Sequence, residues 1–176
     1  MAQKAAEQQQ PAQQLFDLLK KDHRLAERMM KQIESAAEEE RENLFMSLKE
    51  ALTEHMLMEE KEFYPKLKKI SQMQDAVQDA LDEHSETKEY LSELEEMDVD
   101  DDDWMTTFQS MREGIEHHVE DEEKEIFPEC RKHLDARAFE EIAHRCIQMK
   151  EKSASRPASS RTAGSGPSTK KQPEVA

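Results

Sequence analysis

The sequence predicts an all-α protein: an antiparallel up-down four-helix bundle with a short fifth C-terminal helix and disordered tails. Three observations carry this. Before residue 151 the only glycine is Gly114 and the only prolines are Pro11, Pro65 and Pro128, too few turn formers for a sheet of tight hairpins. Apolar residues recur at steps of three and four along four long stretches, the period of a helix with one buried face. Charged residues reach 38% of the chain and aromatic residues only 5%. Long solvated helix faces account for the first figure, and the second leaves a core of Leu, Ile, Ala and eleven soft, adaptable Met.

Residues 1–11 are rich in Gln and Ala, lead into Pro11 and are expected to be disordered. The domain is expected over 12–150. Its first helix, from about Ala12 to Ser35, places Leu15, Leu19, His23, Ala26, Met30 and Ile33 on one stripe. The second, about Glu39 to Tyr64, carries Leu44, Leu48, Ala51, His55 and Glu59. The third, about Ser71 to Met97, carries Met73, Val77, Leu81, His84, Leu91 and Leu94. An acidic run, DVDDDD, then breaks the pattern, with Asp103 or a neighbour as the cap of the next helix. That fourth helix, about Trp104 to Arg131, carries Phe108, Met111, Ile115, His118, Glu122 and Ile126. A fifth, about Ala136 to Lys150, turns Phe139, Ile142, Ala143 and Cys146 inward. Residues 151–176 are Ser, Pro and Gly with almost nothing to bury, and are expected to be disordered.

Charge narrows the function classes. The formal net charge is −16; five basic residues and one acidic from Lys152 onward give that segment +4 and leave −20 for the rest. Such a body repels phosphate backbones and anionic lipid, so neither nucleic acid nor membrane is the expected partner. No apolar run approaches membrane-spanning length, and the N-terminus lacks the apolar core of a signal peptide. Two cysteines, Cys130 and Cys146, make neither a disulfide framework nor a CxxC site, so the cytoplasm is the expected location.

The chemistry lies in a repeat. HMLMEEKEFYP, His55 to Pro65, returns as HVEDEEKEIFP, His118 to Pro128. Each copy follows a helix with one lone histidine: His23 precedes His55, and His84 precedes His118. Every main helix thus has one histidine on its apolar stripe, and two add a glutamate one turn further on. Ionised carboxylates in a core are costly unless positive charge meets them. Imidazoles and carboxylates converging from four helices suit divalent first-row metals such as iron. The candidate ligands are His23, His55, Glu59, His84, His118 and Glu122.

Other candidates are read more plainly. His117 lies roughly 100° around the helix from His118 and should face solvent. Glu60, Glu62, Glu123 and Glu125 are read as solvated faces, Trp104 as a residue packing at a helix start, and Cys130 as a small apolar filler. His133 and His144 lie outside the repeat. The acidic loop lacks the spacing and glycine of a calcium site. Lys88, one turn after His84, either snorkels to the bundle edge or bonds near the site.

The order His, His-x-x-x-Glu, His, His-x-x-x-Glu, with a proline shortly after each glutamate, resembles the hemerythrin-like family, the HHE cation-binding domain, over about 12–150. The resemblance implies a non-haem centre of two iron ions inside the bundle, with His23 and His55 on one, His84 and His118 on the other, and Glu59 and Glu122 bridging beside an oxo or hydroxo group. Oxygen-carrying hemerythrins have a further histidine one turn after the third-helix ligand, where this chain has Lys88. Four His and two Glu are similar to the ligand set of iron-centre repair proteins in the wider family. The expected function is to bind or react with O2, H2O2 or nitric oxide, with an unidentified redox partner. Iron storage or buffering, and a redox- or ligand-sensing module, are the alternatives.

Overall fold

Every regular element among the described residues is helical in the computed structural model, which describes residues 2–155, with side chains from residue 10 onward. Helix α1 spans Ala2–Ser35 and α2 spans Glu38–Met58. A π-helical turn, Glu59–Phe63, joins α2 to α3, Tyr64–Leu67. After a short 3-10 turn at Ser71–Met73 come α4, Gln74–Glu96, and α5, Asp102–Asp121. A second π-helical turn, Glu122–Ile126, leads into α6, Phe127–His133, and the chain continues in α7, Ala136–Ala154. Helix α1 packs along both α2 and α7, and α4 packs along α5, forming a helical bundle.

Two boundaries differ from expectation. Residues 2–11, expected to be disordered, are the start of α1, with Pro11 inside it. Ala, Gln, Glu and Lys are strong helix formers, and they carry the helix through a proline that removes one N–H bond and crowds the preceding turn. Helix α7 runs four residues past Lys150, into the segment expected to be disordered from 151, because Glu151 to Ala154 hold nothing that stops a helix. The remainder of the expected tail, 156–176, lies outside the described residues.

The stripes are largely as expected. Helix α2 is rotated slightly, so that Phe45 and Leu52 are buried where Leu44 and Ala51 are half-buried. Trp104 is fully buried at the start of α5, donating from Nε1 to the Leu94 carbonyl at 3.1 Å and stacking on Phe108. Asp101 occupies the cap position of α5, without a side-chain capping bond. Asp135 caps α7 by accepting from the Ala138 N–H at 2.8 Å. Phe139, Ile142, Ala143 and Cys146 are buried.

The two π turns are the feature that helical periodicity alone missed. In each, a backbone N–H reaches back five residues: Tyr64 to the Glu59 carbonyl, and Phe127 to the Glu122 carbonyl. The prolines explain their place. A proline inside a helix clashes with the carbonyl four residues earlier, here that of Lys61 or Lys124, and both carbonyls lie within a widened turn. The widening also lets residues five apart share a face. Glu59 with Tyr64, and Glu122 with Phe127, are all buried.

The apolar core is in two parts. One holds Leu15, Leu19, Phe63, Val77, Phe127 and Phe139; the other holds Met30, Leu48, Leu91, Trp104, Phe108 and Met111. Each histidine of the repeat falls on its helix between residues of the first part and residues of the second. His23, for example, lies between Leu19 and Ala26, and His84 between Ala80 and Leu91. A polar layer therefore separates two dry ones.

Candidate metal centre

All six predicted residues meet in that layer, and all six are buried, Glu59 and Glu122 at 0% exposure. His23 and His55 bring their Nε2 atoms to 3.2 Å from each other, and so do His84 and His118. Glu59 Oε2 stands 3.2 Å from His55 Nε2 and 3.4 Å from His84 Nε2, spanning both pairs. Glu122 Oε2 stands 3.2 Å from His23 Nε2 and 3.9 Å from His118 Nε2. Potential ligand atoms of His23, His55, Glu59 and Glu122 all lie within 4.8 Å of one another, as do those of Glu59, His84 and His118.

Each ring's other nitrogen turns outward, toward a carboxylate. Nδ1 of His23 lies 2.9 Å from Glu123, that of His84 3.1 Å from Glu60, and that of His118 2.8 Å from Glu83. For His55 the facing carboxylate is Asp22, at 3.7 Å and beyond hydrogen-bond reach, because Asp22 is drawn to Lys150 at 2.6 Å. The arrangement follows the repeat. Glu60 and Glu123 each follow an inward glutamate, and Asp22 and Glu83 each precede a lone histidine. Glu60 and Glu123, read from sequence as solvated faces, are thus corrected to orienting partners of His84 and His23. The helical period put them off the stripe, but a long carboxylate beside it reaches the outer edge of a neighbouring ring.

These partners assign the tautomers. A carboxylate accepts a proton from Nδ1, which leaves Nε2 with a bare lone pair. At His84 and His118 two such lone pairs face each other at 3.2 Å with no proton between them. Burial, with the neighbouring His118, pushes His84 down to about 4, and burial likewise lowers His55, so both rings are neutral at pH 7. At His23, burial alone would lower the pKa, but Glu122 and Glu123 outweigh it and raise it. Burial and the facing Glu122 push Glu59 well above the usual carboxylate range. Glu122 moves the opposite way: burial would raise it, but the close His23 imidazole, with His118 and His55 around it, holds it low.

The donor set fits cations. Both Glu59 oxygens, Glu122 Oε2 and His55 Nδ1 are buried without a hydrogen-bond partner, a costly state for polar atoms. A metal ion with bonds of about 2.1 Å places adjacent ligand atoms about 3 Å apart, close to the separations found. Outside the layer, Glu83, His117 and Asp121 also cluster, but His117 is 69% exposed, facing solvent as its helical position predicts. Lys88, 48% exposed, donates to Glu60 at 2.5 Å and so reaches the site's outer carboxylate without entering its interior.

Tyr64 is the residue that sequence reasoning missed. Its buried hydroxyl donates to Glu122 Oε1 at 2.8 Å, and burial together with Glu122 and Glu59 keeps the phenol protonated far above its usual pKa. The available signal was the shared spacing of glutamate, aromatic and proline in EEKEFYP and EEKEIFP.

A helical bundle with paired imidazoles and buried carboxylate oxygens that lack hydrogen-bond partners at one level of its core is, by construction, a candidate cation-binding protein. The chain belongs to the hemerythrin family: a model described as the hemerythrin HHE cation-binding domain matches residues 14–130. That match ends before α7. No curated protein and no solved structure gave a significant match.

Proposed function

We propose that this chain is a non-haem di-iron protein that binds or reacts with O2, a peroxide or nitric oxide. His23 and His55 would hold one ion and His84 and His118 the other, with Glu59 and Glu122 shared. The carrying observation is the pairing of imidazole Nε2 atoms at 3.2 Å beside buried oxygens of Glu59 and Glu122 that have no hydrogen-bond partner. Iron suits a set of imidazole and carboxylate donors that includes no thiolate. Cys130 and Cys146 are free, with thiols pushed up to about 12 by burial. The four long helices are read as running alternately up and down, since successive histidine-bearing helices pass from the first apolar part to the second and back again.

A pair of ferrous ions supplies two electrons to a small oxidant that reaches it. The protein's share is orientation and exclusion of water. The outer carboxylates hold His23, His84 and His118 with Nε2 inward, and Glu123 is itself held by Lys20 and Arg24, and Glu60 by Lys88. A cavity of about 50 Å³ touches all four histidines and is walled by apolar groups including Leu52 and Ile115. It has room for one or two water-sized molecules, the scale of a diatomic. None of the described helices is long and apolar enough to cross a membrane.

Metal analysis with an absorption spectrum tests the site. Two irons per chain are expected, with an oxo-bridge charge-transfer band. Stopped-flow mixing of the reduced, iron-loaded protein with O2, H2O2 and NO tests the chemistry. A chain that takes up no iron removes the proposal; iron that responds to none of the three favours buffering.

A further inference from the structure

The two halves of the centre are nearly related by the sequence repeat, and one departure from that symmetry inside the polar layer is a single oxygen atom. Tyr64 and Phe127 hold equivalent places, each nine residues after the histidine of its phrase. Each ring packs on a lone histidine: Tyr64 lies 5.5 Å from His84, and Phe127 lies 6.2 Å from His23. Only Tyr64 carries a hydroxyl, and that hydroxyl holds Glu122 Oε1. The other Glu122 oxygen faces His23 at 3.2 Å and stands off from His118 at 3.9 Å. Glu59 has no such tether. Its Oε2 sits nearly evenly between His55 and His84, and both its oxygens lack a hydrogen-bond partner. Four candidate ligands therefore converge around His23 and His55, but three around His84 and His118.

We propose that Tyr64 is a positioning residue that makes the two metal positions unequal: one cation enters tightly among His23, His55, Glu59 and Glu122, and a second, weaker one joins His84, His118 and Glu59, sharing Glu122 only across its longer distance to His118. The proposal rests on the two-metal reading above and adds an order of filling to it. The hydroxyl acts by occupying one oxygen of Glu122 and aiming the other at the His23 side. Glu59, whose oxygens lack a hydrogen-bond partner and lie between His55 and His84, would be free to serve either position.

Titration of the metal-free full chain with cobalt(II), followed by calorimetry and by visible absorption, tests this without reference to activity. Two resolved steps are expected, separated about tenfold or more, the scale of one hydrogen bond to a charged group. Tyr64→Phe should still take two ions but with the steps drawn together to within about threefold. His84→Ala should keep the tight step and lose the weak one, and His23→Ala should lose the tight one. Two ions taken up by the unaltered chain in one indistinguishable step would overturn the order of filling and leave the two-metal reading standing. No uptake at all would overturn both. A gap unchanged in Tyr64→Phe, or loss of the tight step in His84→Ala, would also overturn the proposal. So would a ferric–phenolate absorption band lost in Tyr64→Phe, because it would put Tyr64 on the metal and off Glu122. If Tyr64→Phe fails to fold, the two histidine variants decide the order of filling.

Discussion

Glu122 and Glu123, neighbours in the chain, take opposite nitrogens of one imidazole: Glu122 Oε2 lies 3.2 Å from His23 Nε2, and Glu123 Oε1 lies 2.9 Å from His23 Nδ1. Glu59 and Glu60 treat His84 in the same way, at 3.4 and 3.1 Å. One glutamate pair thus supplies both an inward oxygen and the group that fixes the ring presented beside it. The Glu-Glu dipeptide in each phrase is a unit of site construction, and its second member has consequences that can be measured.

Glu123→Ala and Glu60→Ala should each weaken iron binding about 10- to 100-fold, the usual cost of losing the partner that orients a ligating histidine. Both carboxylates sit at the edge of the layer, so the helical content should be unchanged. Competition against a chelator of known affinity checks the first expectation, and circular dichroism checks the second. Affinities equal to that of the unaltered chain would count against an orienting role.

Iron loading should raise the melting temperature. A ligand that binds only the folded state at 100 times its dissociation constant adds about 2.7 kcal/mol, and here it also relieves buried carboxylate oxygens that lack partners. Stripping the metal should reverse the gain. In Glu59→Ala, which removes the carboxylate that spans both pairs, the increment on loading should shrink by half or more. Differential scanning calorimetry of loaded and stripped protein, with the unaltered chain and Glu59→Ala side by side, gives the comparison.

Trp104→Ala should destabilise the fold by about 3–5 kcal/mol, the cost of emptying a large core site, since the indole is fully buried between Phe45 and Phe108 and donates to Leu94. This tryptophan belongs to the apolar part on one side of the polar layer and contacts none of the six candidate ligands. Iron bound per folded molecule should therefore stay at the unaltered value. Urea denaturation read together with metal content separates the two effects.

Alkali should weaken the fold through its buried thiols. Cys130 and Cys146 keep their protons to about pH 12 in the folded chain, because burial opposes the thiolate, whereas an exposed thiol is half ionised near 9. Above pH 9 the unfolded state binds fewer protons than the folded one, so stability must fall as pH rises. The limiting slope is about 1.4 kcal/mol per pH unit for each thiol. Denaturant titrations as pH rises to about 9, where Tyr64 with its ordinary value of 10 would still be mostly protonated in an unfolded chain, should show the onset of this decline. Cys130→Ala with Cys146→Ala should flatten it. In the folded protein at pH 8, neither thiol should react with a disulfide reagent.

Much of the site was legible because helix geometry is local. Steps of three and four residues put His118 on the stripe of Phe108, Met111 and Ile115 and turned His117 to solvent, which is where each lies. The same rule misplaced Glu60 and Glu123, because it describes the face a residue leaves its own helix on and not how far the side chain reaches toward another. It also passed over Tyr64. That ring sits on the site because the helix widens to a five-residue reach before Pro65, and a constant 3.6-residue period contains no such turn.

By itself, then, the chain's pattern of residues determined that there would be helices, which face of each would be buried, and which six polar side chains would be carried inward together. These follow from short-range backbone geometry and the cost of exposing apolar surface. Packing alone decided how far apart the imidazoles stand, which carboxylate turns each ring, and that Glu122 is tethered while Glu59 is not. Those are contacts between atoms as far apart as Tyr64 and Glu122 in the chain, and such distances exist only once separate helices have closed on one another.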